Sequence, residues 1–508
     1  MKFFRRRCLY TLLAVTLGAV TAQADVALPK ILSDNMVLQR ELPVPIWGTA
    51  APGEEIAVRF AGQEKKTKAG ADGRWTVSLD ALKASATPQE LTIAGTNTVT
   101  LKNILVGEVW LCSGQSNMEY SINRPSSSAP AAVPVDPQLA QEIATETYPA
   151  IRLFRVEKQT RTPDLVTNGW TECSGDALSA FSALGFFFGR NLQHELNVPV
   201  GLIESSWGGS RIEPWTFPNS YAGLPAFNDA NGQTLAQIDG VRPGQYINSM
   251  IRPLVPFAVR GVIWYQGESN IIATNDGIRY ADKMQALVEG WRAAWNRTDL
   301  PFYSVQIAPY AYTKRPDPLK HSAEEEPMLW EAQWLSTQLP NTGLVPTIDL
   351  NADFSNIHPG QKRVVGKRLA DLALAEAYGK TGLVYDGPTF AKMEIADGKA
   401  TLRFTNTGGG LAARDGQPLS EFEIAGADGN FVAAQATLAD NTVVVSSAQI
   451  AVPVAVRFGW RETAQPNLIN KEGLPAYPFR TNGPDWHPAT RAASTPAAPV
   501  PTPIPATP

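Results

Sequence analysis

The sequence predicts an α/β fold: a three-layer domain built on a parallel sheet, with one β domain before it in the chain and another after it. Three observations support this prediction. Between residues 106 and 380, apolar runs alternate with amphipathic segments of helical period. Residues 25–105 and 383–482 instead carry short strand-like runs broken by glycine and proline. The chain of 508 residues is long enough for several domains and a sizeable core.

The amino terminus is typical of a cleaved export signal. Lys2 and three consecutive arginines precede an apolar stretch at residues 9–20, which is too short to cross a bilayer. Residues 22–24 read Ala-Gln-Ala, which is a small-x-small cleavage site. We therefore interpret residues 1–24 as a signal peptide and expect an exported protein, periplasmic or secreted, with no membrane span.

The composition of the chain argues against several classes of partner. The formal net charge is −4 and no basic patch follows the signal, so we expect no nucleic acid partner. No group of cysteines and histidines has the spacing of zinc ligands, so the sequence predicts neither a metal nor another cofactor. Cys112 and Cys173 remain after cleavage and form either a disulfide or two buried thiols. The sequence does not determine the oligomeric state.

The predicted amino-terminal β domain, residues 25–105, has the turn spacing of a β-sandwich. Turns rich in glycine, at residues 51–53 and 70–73, separate its strand-like runs. These runs are residues 44–47, 55–60, 74–79, 90–94 and 98–101.

The predicted α/β domain, residues 106–380, has a helical and a strand pattern in alternation. Amphipathic helices are predicted at residues 180–196, 280–295 and 361–378. Buried strands are predicted at residues 198–203, 259–265, 302–307 and 344–350.

The predicted carboxyl-terminal β domain, residues 383–482, returns to short strand-like runs. They are residues 400–404, 422–424 and 443–445. Residues 483–508 are rich in proline, alanine and threonine and are predicted to be a disordered tail.

The most informative segment of the α/β domain is residues 109–118, which read VWLCSGQSNM. An apolar run ends in small and polar residues, as expected where a buried strand reaches the carboxyl edge of a sheet. Ser116 is expected in the first turn after the strand, with its hydroxyl exposed as a nucleophile; a serine that merely caps a helix would be placed in the same way. Met118 stands where the nucleophile elbow of α/β-hydrolases has its second glycine, so that fold is not indicated.

Three later segments have the same form, an apolar run that ends in small or polar residues. They are residues 201–210, 259–270 and 345–359. Open α/β sheets place their sites at the carboxyl ends of parallel strands, so the polar residues of these segments are expected to lie near Ser116.

A hydroxyl nucleophile needs a base, and the chain has four histidines. We expect His194 on the solvated face of a helix, His321 on an exposed loop beside three glutamates, and His487 at the edge of the tail. His358 lies between the last predicted strand and the last predicted helix, at the same sheet edge as Ser116. Position and elimination therefore indicate His358 as the base, although a residue that only starts a helix would have the same position.

Hydrogen-bond donors are also needed to hold the oxyanion that forms during attack on a carbonyl. The candidates are the backbone N–H of Ser116, that of Gly208 or Gly209, and the side-chain amide of Gln266. Consecutive glycines let a backbone approach a ligand closely, although a plain tight turn has the same sequence.

At these four segments the sequence resembles the sialate O-acetylesterase family, within the larger group of SGNH hydrolases. The matching residues are 114–118 (GQSNM), 206–210 (SWGGS), 264–270 (WYQGESN) and 357–362 (IHPGQK). Residues 35–40, 44–48 and 467–475 resemble the flanking β regions of the family. Four ordered blocks are far more specific than any one motif.

The resemblance implies an SGNH-hydrolase-like fold for residues 106–380 and the removal of O-acetyl groups from an acetylated carbohydrate without a metal or cofactor. Ser116 would attack the acetyl carbonyl, His358 would move the proton, and an acetyl-serine intermediate would form. Ser116, Gly209 and Gln266 would hold the oxyanion.

The chain departs from the family pattern beside the histidine. SGNH hydrolases usually have an aspartate three residues before it, where this chain has Ser355. Asp353, Asp349 or a backbone carbonyl are the candidates to orient His358. A negative charge helps most when the imidazolium forms, which favours Asp353 as the third catalytic residue; a Ser-His dyad is the alternative.

Two other interpretations fit the sequence. An acetyl esterase for a plant hemicellulose, such as xylan or xyloglucan, would carry out the same reaction on another sugar. A non-catalytic carbohydrate-binding protein would use the β domains, but the presence of both Ser116 and His358 argues against it. Substrate-binding residues are not identified, because large aromatic side chains more often pack in cores than bind sugars. The candidates for a sugar platform are Trp207, Trp215, Trp264 and Tyr265.

Overall fold

The computed structural model of this chain describes residues 25–123, 141, 145–316 and 318–489. The predicted signal peptide and residues 490–508 of the predicted tail lie outside the described residues. Within the described ranges, no helix has both the length and the hydropathy needed to cross a bilayer.

The strands fall into three groups along the chain. Those of the amino-terminal β region are β1 (Val37–Gln39), β2 (Val44–Thr49), β3 (Glu55–Phe60), β4 (Gln63–Lys68), β5 (Arg74–Leu79), β6 (Ser85–Ala94) and the first part of β7 (Thr98–Gly114). The middle group is β8 (Tyr148–Arg155), β9 (Trp170–Cys173), β10 (Val200–Ser206), β11 (Gly261–Tyr265), β12 (Phe302–Val305) and β13 (Thr342–Val345). The carboxyl-terminal group is β14 (Thr389–Ala396), β15 (Lys399–Thr405), β16 (Leu411–Ala413), β17 (Phe422–Ala425), β18 (Phe431–Ala433), β19 (Gln435–Ala439), β20 (Thr442–Ser446), β21 (Ala455–Phe458), β22 (Leu468–Asn470) and β23 (Phe479–Arg480).

The helices that the structure describes belong to the middle part of the chain. In the described residues they are α1 (Ser116–Glu119), α2 (Gly175–Ala180), α3 (Ala183–Leu196), α4 (Glu268–Thr274), α5 (Arg279–Trp295), α6 (Glu325–Leu335) and α7 (Lys362–Glu376). Single 3₁₀ turns lie at Glu213–Trp215, Pro218–Tyr221, Pro225–Phe227, Arg252–Leu254, Tyr312–Lys314 and Ser336–Gln338, and a π-helical turn lies at Ile247–Ile251. The three predicted helices correspond to α3, α5 and α7 and are confirmed.

The core of the fold is a sheet in which seven strands follow the order β13-β12-β11-β7-β10-β8-β9. All neighbours along this path are parallel except β8 and β9, which are antiparallel. Helices cover both faces. On one face Trp110 of β7 packs against Phe188 of α3, with ring centroids 5.1 Å apart; on the other, Trp264 of β11 packs against Trp291 of α5 at 6.2 Å. The predicted α/β fold with a parallel sheet is confirmed, and burial on both faces explains why its strands are continuously apolar.

Strand β7 joins the amino-terminal β region to the parallel sheet. The sequence predicts a short strand at residues 98–101, but the strand continues to Gly114, across the predicted domain boundary at residue 105. Its first half pairs with β6, and its second half pairs with β10 and β11. Asn103, at a φ of 58°, lies where the pairing with β6 shifts register. The polar residues there interrupt the apolar pattern without ending the strand, because backbone pairing continues on both sides.

The carboxyl-terminal β region forms three antiparallel sheets, and the predicted runs lie within β15, β17 and β20. Ion pairs attach it to α6 and to the residue before that helix: Arg480 pairs with Glu331 of α6 at 2.7 Å, and Arg457 pairs with Glu324 at 2.8 Å. This region is therefore held against the α/β sheet rather than only linked to it in sequence.

The predicted disordered tail is wrong for its first residues, 483–489. Trp486 donates from its indole nitrogen to Asp282 of α5 at 2.9 Å, and the backbone N–H of Ala489 donates to Gln285 at 3.0 Å. Residues 483–489 already have the composition of the tail but still pack against α5. The composition therefore predicts a start of the tail that is too early in the chain.

Cys112 and Cys173 are both buried free thiols, so the disulfide alternative is excluded. Burial raises the pKa of Cys173 to about 12 and that of Cys112 well above its ordinary value. Since the thiolate is the reactive form, neither cysteine is activated as a nucleophile.

Candidate active site

Ser116 and His358 meet at the carboxyl edge of the parallel sheet. His358 Nε2 lies 2.8 Å from Ser116 Oγ, within hydrogen-bond distance. Ser116 is partly exposed at the first position of α1, directly after β7. The turn requires Gly114, which has a φ of 139° and whose Cβ would lie 2.1 Å from the carbonyl oxygen of Tyr265. The structure thus brings together the two residues that the sequence pairs as nucleophile and base.

His358 is held neutral by its surroundings. Its side chain is buried, with a residue exposure of 4%, and its backbone N–H donates to Asn356 Oδ1 at 2.9 Å. Burial and the nearby charge of Lys362 lower the pKa of His358 from 6.5 to about 4. A neutral imidazole with a free Nε2 lone pair can accept the Ser116 proton, provided that Nδ1 carries the ring proton.

Asp353 is not brought to His358. It is exposed, and its Oδ1 accepts from the backbone N–H of Ser355 at 3.0 Å and from the Ser355 hydroxyl at 2.6 Å. Asp349 instead forms an ion pair with Arg368 at 2.7 Å. The loop turns back on itself at Asp353, and the aspartate stabilises this turn rather than the imidazole. Across the described residues, Nδ1 of His358 has no hydrogen-bond partner, so the geometry is that of a Ser-His dyad.

The turn at Gly208 and Gly209 lies against the nucleophile. A Cβ on Gly208 would be 3.3 Å from Ser116 Cβ. The N–H of Gly208 donates to the Glu119 carboxylate, which in turn contacts Lys158. Gly209 has a φ of 75°, and the space that a Cβ would occupy there is empty. Because the Gly208 amide is engaged by Glu119, the Gly209 amide remains the candidate donor of this turn for an oxyanion.

Gln266 lies in the protein interior, contrary to its predicted role as a direct oxyanion donor. Its Nε2 atom donates to Gln115 Oε1 at 3.0 Å, to the Ser210 carbonyl at 3.2 Å and to Asn270 Oδ1 at 2.7 Å. Both amide hydrogens are thus engaged, and the residue is 0% exposed. The Gln266 amide needs these partners inside the protein because it is shielded from water. Gln266 ties the end of β11 to the segment that carries Ser116.

A carboxylate cluster beside this network surrounds a buried lysine. Lys283 Nζ lies 2.6 Å from Glu213, 2.7 Å from Asp239 and 2.6 Å from Asp276. In the described part of the chain, these three carboxylates are the group whose spacing suits a metal ion. The ammonium group supplies the positive charge there, and Asn270 connects the cluster to Gln266.

The other histidines lie away from the dyad. His194 and His487 have exposed side chains, as the sequence predicts. The prediction for His321 is wrong, because its side chain is buried and its Nδ1 lies 2.6 Å from Glu325 Oε2. This contact of residues four apart joins the loop to the first turn of α6.

Three residues beside the dyad are not indicated by the sequence pattern: Glu119, Asn117 and Lys362. Glu119 holds the glycine turn, while Asn117 and Lys362 hydrogen-bond to each other at 2.6 Å beneath the dyad. Asn117 and Lys362 stand inside the motifs GQSNM and IHPGQK, one and four positions after the catalytic candidates. The available signal was the presence of a lysine in the IHPGQK motif. The sequence does not show that this lysine is buried, because its burial depends on the fold.

Known proteins are similar to this chain over most of its length. A model of the carbohydrate esterase family described as sialic acid-specific acetylesterase matches residues 106–375. The sialate O-acetylesterase of Homo sapiens is 32% identical over 419 residues, which cover 74% of this chain and 75% of that protein. The sialate O-acetylesterase of Mus musculus is 30% identical over 442 residues, with 74% and 77% covered. The crystal structure of a carbohydrate acetylesterase from Xanthomonas citri matches with a TM-score of 0.78 and 37% identity, covering 91% of this chain and all of that one.

Replacing Asp353 tests whether the site is a dyad. We expect Asp353→Asn to change kcat by less than about 3-fold, whereas loss of a triad aspartate costs about 10⁴-fold. Steady-state hydrolysis of p-nitrophenyl acetate measures the effect. A loss of orders of magnitude in kcat, with KM unchanged and the fold intact by circular dichroism, would show that Asp353 reaches His358 during turnover.

The pH dependence follows from the state of His358. The neutral imidazole is the active base, so kcat/KM falls as the pH drops through its pKa, about 4. We therefore expect kcat/KM to be nearly constant down to about pH 5, to be half-maximal near the pKa of about 4, and to fall about tenfold per pH unit below it. Activity measured from neutral to acid pH, with circular dichroism at each point, checks this. A fall of kcat/KM centred at pH 6.5, the ordinary pKa of histidine, would contradict the buried environment of His358.

Proposed function

The chain belongs to the sialic acid-specific acetylesterase family of carbohydrate esterases, and we propose that it is an exported serine esterase that removes O-acetyl groups from acetylated sugars. The observation that carries this proposal is the 2.8 Å contact between Ser116 Oγ and His358 Nε2, beside the Gly208–Gly209 turn, where a Cβ on Gly208 would lie 3.3 Å from Ser116 Cβ. A nucleophile, a neutral base and an oxyanion donor are the groups that acyl transfer from an ester requires. An SGNH-type fold for residues 106–380 and export through residues 1–24 are parts of the same proposal.

The first half of the reaction forms an acetyl-enzyme. Ser116 Oγ attacks the acetyl carbonyl carbon while its proton passes to His358 Nε2. The carbonyl oxygen becomes an oxyanion, which the backbone N–H groups of Ser116 and Gly209 stabilise. The tetrahedral intermediate then collapses, the bond to the sugar oxygen breaks, and His358 returns the proton to that oxygen.

The second half releases acetate. A water molecule gives a proton to His358 Nε2 and attacks the acetyl-Ser116 carbonyl. Collapse of the second tetrahedral intermediate breaks the bond to Ser116 Oγ, which takes the proton back from His358. No step needs a group outside the dyad and the two amides.

Trp207 is the best candidate for contact with the sugar. It precedes the Gly208–Gly209 turn, is partly exposed, and stacks on Tyr246 with ring centroids 4.7 Å apart and planes 14° apart. The other predicted platform residues are buried in the core and do not reach solvent; they are Trp215, Trp264 and Tyr265. Aromatic side chains next to a site that cleaves sugar esters offer an apolar surface to a pyranose ring.

Ser116→Ala tests the nucleophile and the reaction together. We expect kcat for acetate release to fall by about 10³-fold or more, because the covalent route is lost. The assay uses O-acetylated N-acetylneuraminic acid and acetylated xylan, so that the preferred sugar is measured as well. Ser206→Ala is the matched control, since Ser206 ends the neighbouring strand and its hydroxyl contacts Glu204 rather than the dyad. A folded Ser116→Ala enzyme with the turnover of the control would refute the proposal.

Trp207→Ala separates sugar binding from chemistry. We expect KM for the acetylated sugar to rise about tenfold, which equals about 1.4 kcal/mol of binding energy. Hydrolysis of p-nitrophenyl acetate, which has no sugar, is expected to change by less than about 3-fold. Trp334→Ala removes a half-buried tryptophan from α6 and serves as the control. An equal loss on both substrates would assign Trp207 to the scaffold of the turn.

A further inference from the structure

Among the residues that the structure describes, no carboxylate contacts His358, yet its ring is held at hydrogen-bond distance from Ser116. The residue that links the two is Asn117, which follows the nucleophile in the chain. Its Nδ2 donates to the carbonyl oxygen of Ile357, the residue before His358, at 3.0 Å, and to Glu268 Oε1 at 2.5 Å. Its Oδ1 accepts from Lys362 Nζ at 2.6 Å. Asn117 is 0% exposed, so these contacts account for its buried amide.

We infer that Asn117, supported by Lys362 and Glu268, is the positioning residue that replaces the acid of a catalytic triad, by clamping the backbone beside His358 to the turn that carries Ser116. This inference rests on the proposed function of the dyad and adds the group that orients its base. An aspartate would orient the ring directly through Nδ1; Asn117 fixes the backbone from which the ring projects.

The other side of the histidine loop is fixed by a second amide. Asn351 Nδ2 donates to the Pro309 carbonyl at 2.6 Å and to the Asn356 carbonyl at 3.0 Å. The loop is thus anchored near its middle to the segment that follows β12 and, beside His358, to α1. A base held at both sides loses little alignment during turnover, and a misplacement of about 1 Å can cost about 10²-fold in rate.

Lys362 lies where a lysine is unfavourable for the fold. It is 1% exposed, it is the first residue of α7, and its hydrogen-bond partner is a neutral amide. Burial disfavours the ammonium, and so does the positive end of the helix dipole. The ammonium of Lys362 is partly stabilised by Glu268 and by the faces of Tyr120 and Tyr265. The two ring centroids lie 4.9 and 5.2 Å from Lys362 Nζ. A group kept at such a cost beside a catalytic candidate points to a role in the site.

The charge of Lys362 acts on His358. Burial is the larger cause of the low pKa of His358, and a positive charge on Lys362 lowers that pKa further because it disfavours the imidazolium. The pKa of Lys362 is about 7, so it is charged throughout the acid range in which His358 titrates. The ionisable groups that face this pair are Glu268, Tyr120 and Tyr265, with Glu326 and Tyr312 behind Glu268. Burial raises the pKa of Glu268, which weakens it as a counter-charge.

Two substitutions of Asn117 test the clamp. Asn117→Ala removes all its hydrogen bonds. Asn117→Asp keeps the shape and the acceptor for Lys362 but cannot donate to Ile357 or Glu268, so it decides the matter if the alanine variant does not fold. For both we expect kcat on p-nitrophenyl acetate to fall about 10²-fold, with KM changed less than about 2-fold. A folded Asn117→Asp enzyme with kcat within about 3-fold of the unaltered protein overturns the inference.

The pH profile separates an electrostatic role of Lys362 from a merely structural one. Lys362→Met removes the charge but not the burial of His358, so the acid limb of the kcat/KM pH profile should move up from about 4 and stay below the ordinary histidine value of 6.5. If Lys362→Met does not fold, Lys362→Gln is measured in its place. Lys367→Met is the matched control, because Lys367 is on the same helix and its side chain is 61% exposed; its limb should not move. An unmoved limb in a folded Lys362 variant overturns this part of the inference.

Failure of the inference is distinguishable from failure of the proposed function. If Ser116→Ala retains full turnover, the proposed function itself is wrong. If Ser116→Ala is inactive while folded Asn117 variants are fully active, the dyad stands and only the clamp is refuted.

Discussion

The hydrogen bond between Ser116 and His358 joins residues 242 positions apart in the chain. It also joins the ends of two strands that are not neighbours in the sheet. Ser116 follows the central strand β7, whereas His358 follows the edge strand β13, and β12 and β11 lie between them. The loop after β13 therefore has to cross the ends of two strands. Each stage of the crossing is anchored: Thr347 Oγ1 donates to the Gln306 carbonyl at 2.7 Å, Asn351 contacts the Pro309 carbonyl, and Asn117 contacts the Ile357 carbonyl. The dyad is the final contact in this series.

The floor of the site is a connected set of buried polar groups. Gln115 binds Gln266, Gln266 binds Asn270, and Asn270 reaches the carboxylates around Lys283. Such networks cost desolvation energy, and a half-satisfied network is worse than an apolar core. Here they hold the carboxyl ends of β7 and β11 in fixed positions, because each amide has several partners with different directions. Rigid strand ends place Ser116 and the Gly208–Gly209 turn without help from the ligand.

The flanking β regions are mechanically connected to the same sheet. Strand β7 extends from the amino-terminal β region to the nucleophile without a break. On the other side, the Tyr477 hydroxyl donates to the Leu344 carbonyl of β13 at 2.6 Å, just before the histidine loop begins. Both halves of the dyad therefore lie on elements that a β region supports.

The sequence by itself determined the α/β class, the three long helices, the parallel strands except for the last, and the pairing of Ser116 with His358. These follow from local signals: the period of apolar residues, and polar residues at the ends of apolar runs, which all reach the same edge of a parallel sheet. The strand predicted at residues 344–350 lies at Thr342–Val345, and residues 346–350 belong to the histidine loop. Only the tertiary structure decided that Asp353 faces solvent, that Gln266 is engaged internally, and that Asn117 and Lys362 lie beneath the dyad. These outcomes depend on which of several nearby partners satisfies each buried polar group. Since the competing partners come from distant parts of the chain, such as Glu268 for Asn117, the spacing of residues in the sequence contains no information about which one is closest.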